Sequence, residues 1–378
     1  MKLRRLWIVS FSALLTGSVV AAPAFAQDTD AKWKAMVDKS AAYLKKTQNP
    51  NGSWGNEKFQ GGVTGIVVTG LIKTGAATPN DESVAKGLKF IETLIDPQSG
   101  HIAGKGSAIG LHNYVTCVNV MALQAANQAD KYRPVVGDAV KFLKQLQWDE
   151  GEGKTKNDDF YGGAGYDSKS RPDMSNTQFF VDALKEAGVP SSDPSLQKAL
   201  IFVSRCQNLK SEYNDRPWAG KINDGSFIYS QAGGGSTKTS DKPDAPLEGY
   251  GSMTYAGIKS MIYCGVSKDD LRYKKAFEWI SKNYSVDHNP GMPKELAARG
   301  LYYYYHTMAK SLTAMQVDEI TDAQGVKHNW RKELVDALAK RQNPDGSWTN
   351  ETDRWMEGDP NLVTGYALMA LSYCKPAK

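Results

Sequence analysis

Apolar positions recur every three or four residues in six separate stretches, and each stretch is followed by a second one that is apolar on nearly every side. In the third pair, Val136, Val140, Leu143 and Leu146 fall on one stripe, while Asp138, Lys141, Lys144 and Gln145 take the opposite side. That spacing predicts an amphipathic helix with one buried face. Helices of this kind are expected to end at AAYLKKTQ (41–48), GLKFIETL (87–94), AVKFLKQLQ (139–147), ALIFVSRCQ (199–207), AFEWISKNY (276–284) and LVDALAKRQ (334–342). The all-round apolar helices begin near residues 63, 115, 176, 253, 305 and 363, and a helix without a wet face belongs in an interior. A Thr recurs at 64, 116, 177, 254 and 364, with Tyr305 standing in the fifth unit. Gly75, Gly188 and Gly265 fall where such helices should stop.

The units are related in sequence. Lys46-Thr-Gln-Asn-Pro-Asn-Gly-Ser-Trp-Gly-Asn56 and Lys340-Arg-Gln-Asn-Pro-Asp-Gly-Ser-Trp-Thr-Asn350 agree at eight of eleven positions, and each precedes a Val-Thr-Gly. An open stack of hairpins needs atypical, polar end units. Here the first and last units are the most alike, so the array is expected to close on itself. The predicted fold is all-α: an α/α toroid of six helical hairpins, with inner and outer helix rings, forming one domain over residues 27–378. Long inserts interrupt it at about 148–172 and 208–252. The second insert carries Gly233-Gly-Gly-Ser-Thr-Lys238, which has no strand leading into it and no Gly before its Lys, so it reads as a flexible surface loop and not a phosphate cradle.

Composition adds a compartment but no chemistry. With 41% hydrophobic and 23% charged residues the chain is globular. Lys2, Arg4 and Arg5, an apolar stretch from Leu6 to about Val20, and Ala24-Phe-Ala26 have the form of a secretory signal over residues 1–26, cleaved near Ala26. The mature protein is then expected outside the cytoplasm, periplasmic or secreted. No later segment is long and apolar enough to cross a membrane. Removing three of the 46 Lys and Arg leaves 43 against 41 Asp and Glu, a net charge of +2 that points to no nucleic-acid partner. Cys117, Cys206, Cys264 and Cys374 show no metal-like spacing and read as small buried residues.

The segments Gln48-Asn-Pro-Asn-Gly-Ser-Trp54 and Gln342-Asn-Pro-Asp-Gly-Ser-Trp348 both fit QxxxGxW. They resemble the QW repeat, also called the prenyltransferase and squalene oxidase repeat, of the terpenoid cyclase and protein prenyltransferase superfamily. The resemblance covers essentially the whole chain after residue 26. Gln48, Trp54, Gln342 and Trp348 are read as structural braces: Gln at a helix end, Trp packed across the joint. The resemblance implies a hydrophobic, isoprenoid-like ligand in a central cavity, but the superfamily's catalytic signatures are altered. Squalene-type cyclases carry DxDDT, whose middle Asp protonates the substrate. Asp173-Met-Ser-Asn-Thr177 is the nearest match, with Ser175 where the acid should stand. A serine hydroxyl is no such acid. The zinc-binding places of protein prenyltransferases fall on Ala256 and Ile258, and the Cys-Gly-Glu-Gln run of thioester proteins is absent. No metal and no cofactor are expected.

In a closed ring the inner helices begin around one mouth, where a ligand would sit. Candidate pocket residues there are His112, Asn176, Tyr250, Tyr255, Tyr302, Tyr305 and His306. The run Tyr302 to Tyr305 is either packing or an aromatic wall. Asp173 is either a helix cap or a remnant acid, and with Glu248 it forms a candidate acid–base pair. Three functions remain open: a binder of a hydrophobic small molecule, a protein-interaction scaffold with an unknown partner, and a carbohydrate-active α/α-barrel enzyme.

Overall fold

The computed structural model describes residues 24–104, 110–242 and 244–376. Residues 1–23 of the expected signal segment lie outside this range. Thirteen α-helices run through the described residues. The outer ring comprises α1 (Ala24–Thr47), α3 (Glu82–Thr93), α5 (Ala129–Gln145), α7 (Pro194–Arg205), α10 (Leu271–Lys282) and α12 (Trp330–Arg341). The inner ring comprises α2 (Gln60–Thr74), α4 (His112–Ala125), α6 (Met174–Glu186), α9 (Gly251–Tyr263), α11 (Leu301–Ala314) and α13 (Pro360–Ser372). A single turn, α8 (Ala219–Ile222), lies in the second insert. Each inner helix touches the next in order, and α13 packs against α2, so the α/α toroid is closed. None of the described helices is long and apolar enough to cross a membrane.

The closing seam depends on close backbone approach. Gly70 of α2 and Gly365 of α13 face each other's helices; a Cβ on Gly70 would overlap Leu368, and one on Gly365 would overlap Ile66. Glycine here gives up helix propensity for a nearer neighbour. The outer ring closes at the same seam. Trp33 donates its indole N–H to the Leu371 carbonyl at 2.8 Å, and Lys32 meets Asp336 at 3.1 Å.

One joint is repeated round the ring, and it explains both the QW residues and the recurring threonines. Gln48 Nε2 donates to the Gly52 carbonyl of its own turn (2.9 Å) and to the Ser83 carbonyl at the start of the next outer helix (2.8 Å). Gln147 does the same with Gly162 and Ser195, and Gln207 with Gly225 and Arg272. Gln342 reaches Gly346 and then, across the seam, the Met36 carbonyl of α1, each at 3.0 Å. The glutamine amide therefore closes its own turn and ties one hairpin to its successor, and it does not cap the carbonyls of its own helix end. The indoles of Trp54 and Trp348 are fully buried and donate to Leu44 and Leu338. Each recurring Thr hydroxyl accepts from the backbone N–H at the joint: Thr64 from Trp54, Thr116 from Ile102, Thr177 from Ala164, Thr254 from Phe227 and Thr364 from Trp348, all at 3.0–3.1 Å. A buried N–H left without an acceptor is costly, which accounts for a hydroxyl at this place in five units.

Two features depart from the sequence reading. A short hairpin, β1 (Glu319–Thr321) and β2 (Lys327–Asn329), pairs antiparallel between α11 and α12, with Ile320 opposite His328. Its turn is built by Asp322, which accepts from the N–H groups of Gln324 and Val326. The glycine-rich loop 233–235 is tied down and not loose: Tyr229 N–H bonds the Ser236 carbonyl at 3.0 Å, and Gly233 N–H bonds Asp159 at 2.6 Å. All four cysteines are buried and unpaired.

Replacing Thr364 by Val keeps the volume but strands the Trp348 N–H. The expected loss is about 1–3 kcal/mol in urea unfolding. An unchanged transition midpoint would show that this joint does not hold the seam.

Candidate functional site

The starts of the inner helices surround a cavity of about 800 Å³. Val63 and Ile66 from α2, Tyr114 and Val115 from α4, Met253 from α9, and Leu362 and Tyr366 from α13 form its apolar wall. Phe90 and Leu94 close one side from the end of α3. The inserts wall the other side with Tyr166, Tyr229 and Tyr250. Phe59, Trp355 and Met356 stand at the rim, where Trp355 is 41% exposed. Trp355 and Met356 both adopt left-handed backbone (φ 59° and 67°), a costly conformation for large side chains. The helices point their N-termini, the positive ends of their dipoles, toward this chamber.

One turn deeper the axis is filled. His306 lies nearly parallel to Phe179 and Tyr366, with ring centroids 6.3 Å and 5.9 Å away. Neither of its ring nitrogens has a hydrogen-bond partner. Burial, reinforced by Lys259, Lys310 and Lys73, holds it well below the usual histidine range, so it is neutral. Deeper still lies an ionic cluster. Asp182 Oδ2 accepts from Lys259 (2.6 Å) and Lys310 (3.0 Å), all three side chains being buried. Glu186 meets Lys310 at 3.3 Å and Lys73 at 2.8 Å at the partly exposed far end. Burial alone would raise Asp182, but the two lysines outweigh it and hold the carboxyl below its ordinary value. Lysines here also face the negative ends of the inner helices. This cluster was not singled out from sequence, because Asp182, Lys259 and Lys310 sit on three helices and no local spacing connects them.

The polar lining of the cavity is sparse and ordered. Tyr303 Oη accepts from Ser175 Oγ and from Gln178 Nε2, each at 3.1 Å. Gln178 Oε1 in turn accepts from Lys259 at 2.5 Å. The Tyr114 and Tyr366 hydroxyls share a 2.6 Å hydrogen bond. Glu357 also lines the cavity, and the residue is only 1% exposed. It accepts from the N–H groups of Tyr302 (3.0 Å) and Tyr303 (2.8 Å) at the start of α11, and from Asn350 (2.6 Å). Burial pushes it up to about 7 against the pull of these donors.

Of the pocket residues expected from sequence, Tyr250 lines the cavity and six do not. Tyr302 and Tyr305 are buried and face away; the Tyr305 hydroxyl donates to the Val286 carbonyl at 2.6 Å. Tyr255 packs on Tyr304, with centroids 5.8 Å apart. His112 sits beside His101, their ring centroids 4.9 Å apart, and Asn176 is turned to Asp173, to which its amide donates at 2.9 Å. His306 lies in the layer beneath. A helix side chain repeats its direction every three to four residues, so Tyr302 and Tyr305 share one face, turned away from the cavity, and Tyr303 is the member of the run that lines it. Tyr366, in the second turn of α13, was not named from sequence, and no local spacing connects it to Tyr114 and Tyr303, each the third residue of its inner helix.

The proposed acid–base pair is not assembled. Asp173 is the N-cap of α6, accepting from Asn176 N–H at 2.9 Å, and it is buried outside the cavity lining. Burial raises its carboxyl above the ordinary range. Glu248 is exposed in a separate surface hollow with Thr239 and Lys242. Ser175, aligned from sequence with the acid of the cyclase motif, lines the cavity. Among the described residues no three His, Cys, Asp or Glu gather as a metal ligand set.

The Glu357 carboxyl provides a direct check on this electrostatic picture. A carboxyl raised from 4.5 to about 7 binds more protons folded than unfolded, so its contribution to stability is present below pH 4.5 and is lost as pH rises through 7. Its side-chain carboxyl resonance, assigned with the Glu357→Gln variant, should titrate near pH 7. A midpoint at or below 4.5 would mean that the helix N–H donors dominate burial.

No family model and no curated protein matches the chain. Solved structures do resemble it. The type II terpene cyclase MstE from Scytonema in complex with geranylgeranyl dihydroxybenzoate aligns over 92% of this chain and 98% of its own, with 12% identity and a TM-score of 0.53. Candida albicans protein geranylgeranyltransferase-I complexed with GGPP aligns over 89% and 90%, with 13% identity and a TM-score of 0.55. A glycosidase aligns over 92% and 98%, with 11% identity and a TM-score of 0.51. With its closed inner and outer helix rings, the chain has the α/α toroid fold that these terpene cyclase, geranylgeranyltransferase and glycosidase structures share.

Proposed function

We propose that the protein holds a long apolar, isoprenoid-like molecule in the cavity at the N-terminal mouth of its inner ring. The observation that carries this reading is the chamber itself. Its volume of about 800 Å³ lies within the usual range for small-molecule sites, and its wall is mostly aliphatic and aromatic. Two proteins of similar fold are complexed with geranylgeranyl compounds. The cyclase-type acid is replaced by Ser175, so binding is proposed without acid-initiated cyclisation. A scaffold would need no such chamber. A glycan-cleaving site would need paired carboxylates across one bond, and Asp173 and Glu248 are not so placed.

Mass spectrometry of an organic extract of the purified protein should show a bound lipid, and added geranylgeraniol should bind at one site. Val115→Trp, which fills the wall of the chamber, should weaken that binding by about tenfold or more, a cost of about 1.4 kcal/mol. Equal binding by the variant would place the lipid elsewhere.

The reading includes export, with residues 1–26 removed and the domain beginning near Gln27. N-terminal sequencing of the protein recovered from outside the cytoplasm should start at or near Gln27. Recovery only from the cytoplasm with Met1 intact would defeat this part.

A further inference from the structure

We infer that the cavity selects an apolar ligand bearing an oxygen acceptor, a carbonyl in the simplest case, which enters first and is bound by the Tyr303 hydroxyl. This rests on the ligand-binding reading above and adds the chemistry of the buried end.

The argument follows hydrogen-bond direction from the ionic cluster to the cavity. Lys259 is an ammonium with donors and no acceptor, and one of its protons goes to Asp182. Another goes to Gln178, which fixes Oε1 toward the lysine and therefore turns Nε2 toward Tyr303. The Tyr303 oxygen accepts that N–H and also the Ser175 hydroxyl, so both of its lone pairs are used. Its own proton is given to none of these partners, and the phenol faces the chamber. The donor character of a buried cation is thus passed along an amide to the cavity wall.

The second polar group agrees. In the Tyr114–Tyr366 pair one proton lies between the two oxygens, so one phenol keeps a proton to offer. Tyr303 and the Tyr114–Tyr366 pair each have a proton left to give, and a hydrocarbon would leave these hydroxyls desolvated and unpaired. A ligand oxygen without a proton of its own complements them. Accepting two hydrogen bonds also polarises the Tyr303 O–H and strengthens the bond it gives.

The test uses the full chain and two probes of one carbon skeleton, phytane and its aldehyde phytanal, in competition with a fluorescent polyene. The wild-type protein is expected to bind phytanal about tenfold more tightly than phytane. Tyr303→Phe should bring the ratio of the two affinities close to one. Infrared spectra of bound phytanal supply a readout that needs no variant: the carbonyl stretch should lie below its position in hexane. Equal affinities in the wild type, a preference that survives Tyr303→Phe, or an unshifted carbonyl stretch would each overturn the assignment. If the wild type binds neither probe, the cavity-ligand reading itself falls; if it binds both alike, only the role of Tyr303 does.

Discussion

The structure depends on the seam where α13 lies against α2. Six hairpins joined only to their sequence neighbours would make an open stack with two exposed apolar ends. Contact through Gly70 and Gly365 removes those ends, and the Gln342 amide joins the last turn to α1. Once the ring is closed, every inner helix has neighbours on both sides, and its apolar circumference has somewhere to go. The starts of all six inner helices then face one chamber.

A closed ring creates a second problem, its axis. Large aromatic residues fill the middle, and the far end is filled by charges. A buried ion pair is weak evidence for stability, because desolvation offsets the Coulomb attraction. Its value here is better sought in geometry. Asp182, Lys259 and Lys310 lock three inner helices in register, and the same lysine orients Gln178 beneath the cavity. A plug of leucines would fill the space without imposing a direction on Tyr303.

The chamber lies at the starts of the inner helices, and its polar lining is sparse. Ser175 donates its hydroxyl to Tyr303. Asp173 caps α6. The inserts, which read as additions to the ring, supply Tyr166, Tyr229 and Tyr250 and so build one wall of the site. Fold and site are therefore separable here: the joints maintain the toroid, while a small set of side chains at the helix starts defines what the mouth can hold.

The helices, their pairing into hairpins and the closed ring were legible because they follow from local periodicity and from the likeness of Lys46–Asn56 to Lys340–Asn350. The Thr and Gln recurrences were visible too, although their bonds across hairpins were not. Of the seven pocket residues expected at the helix starts only Tyr250 lines the chamber, and of the run Tyr302 to Tyr305 only Tyr303 does, since the turn of each helix decides which neighbour of a Tyr or a His faces inward. The chamber, the Glu357 carboxylate at the start of α11 and the lysine-to-tyrosine chain belong to the tertiary structure alone. They join residues distant in sequence, and their directions are set by packing around an axis that no single helix contains.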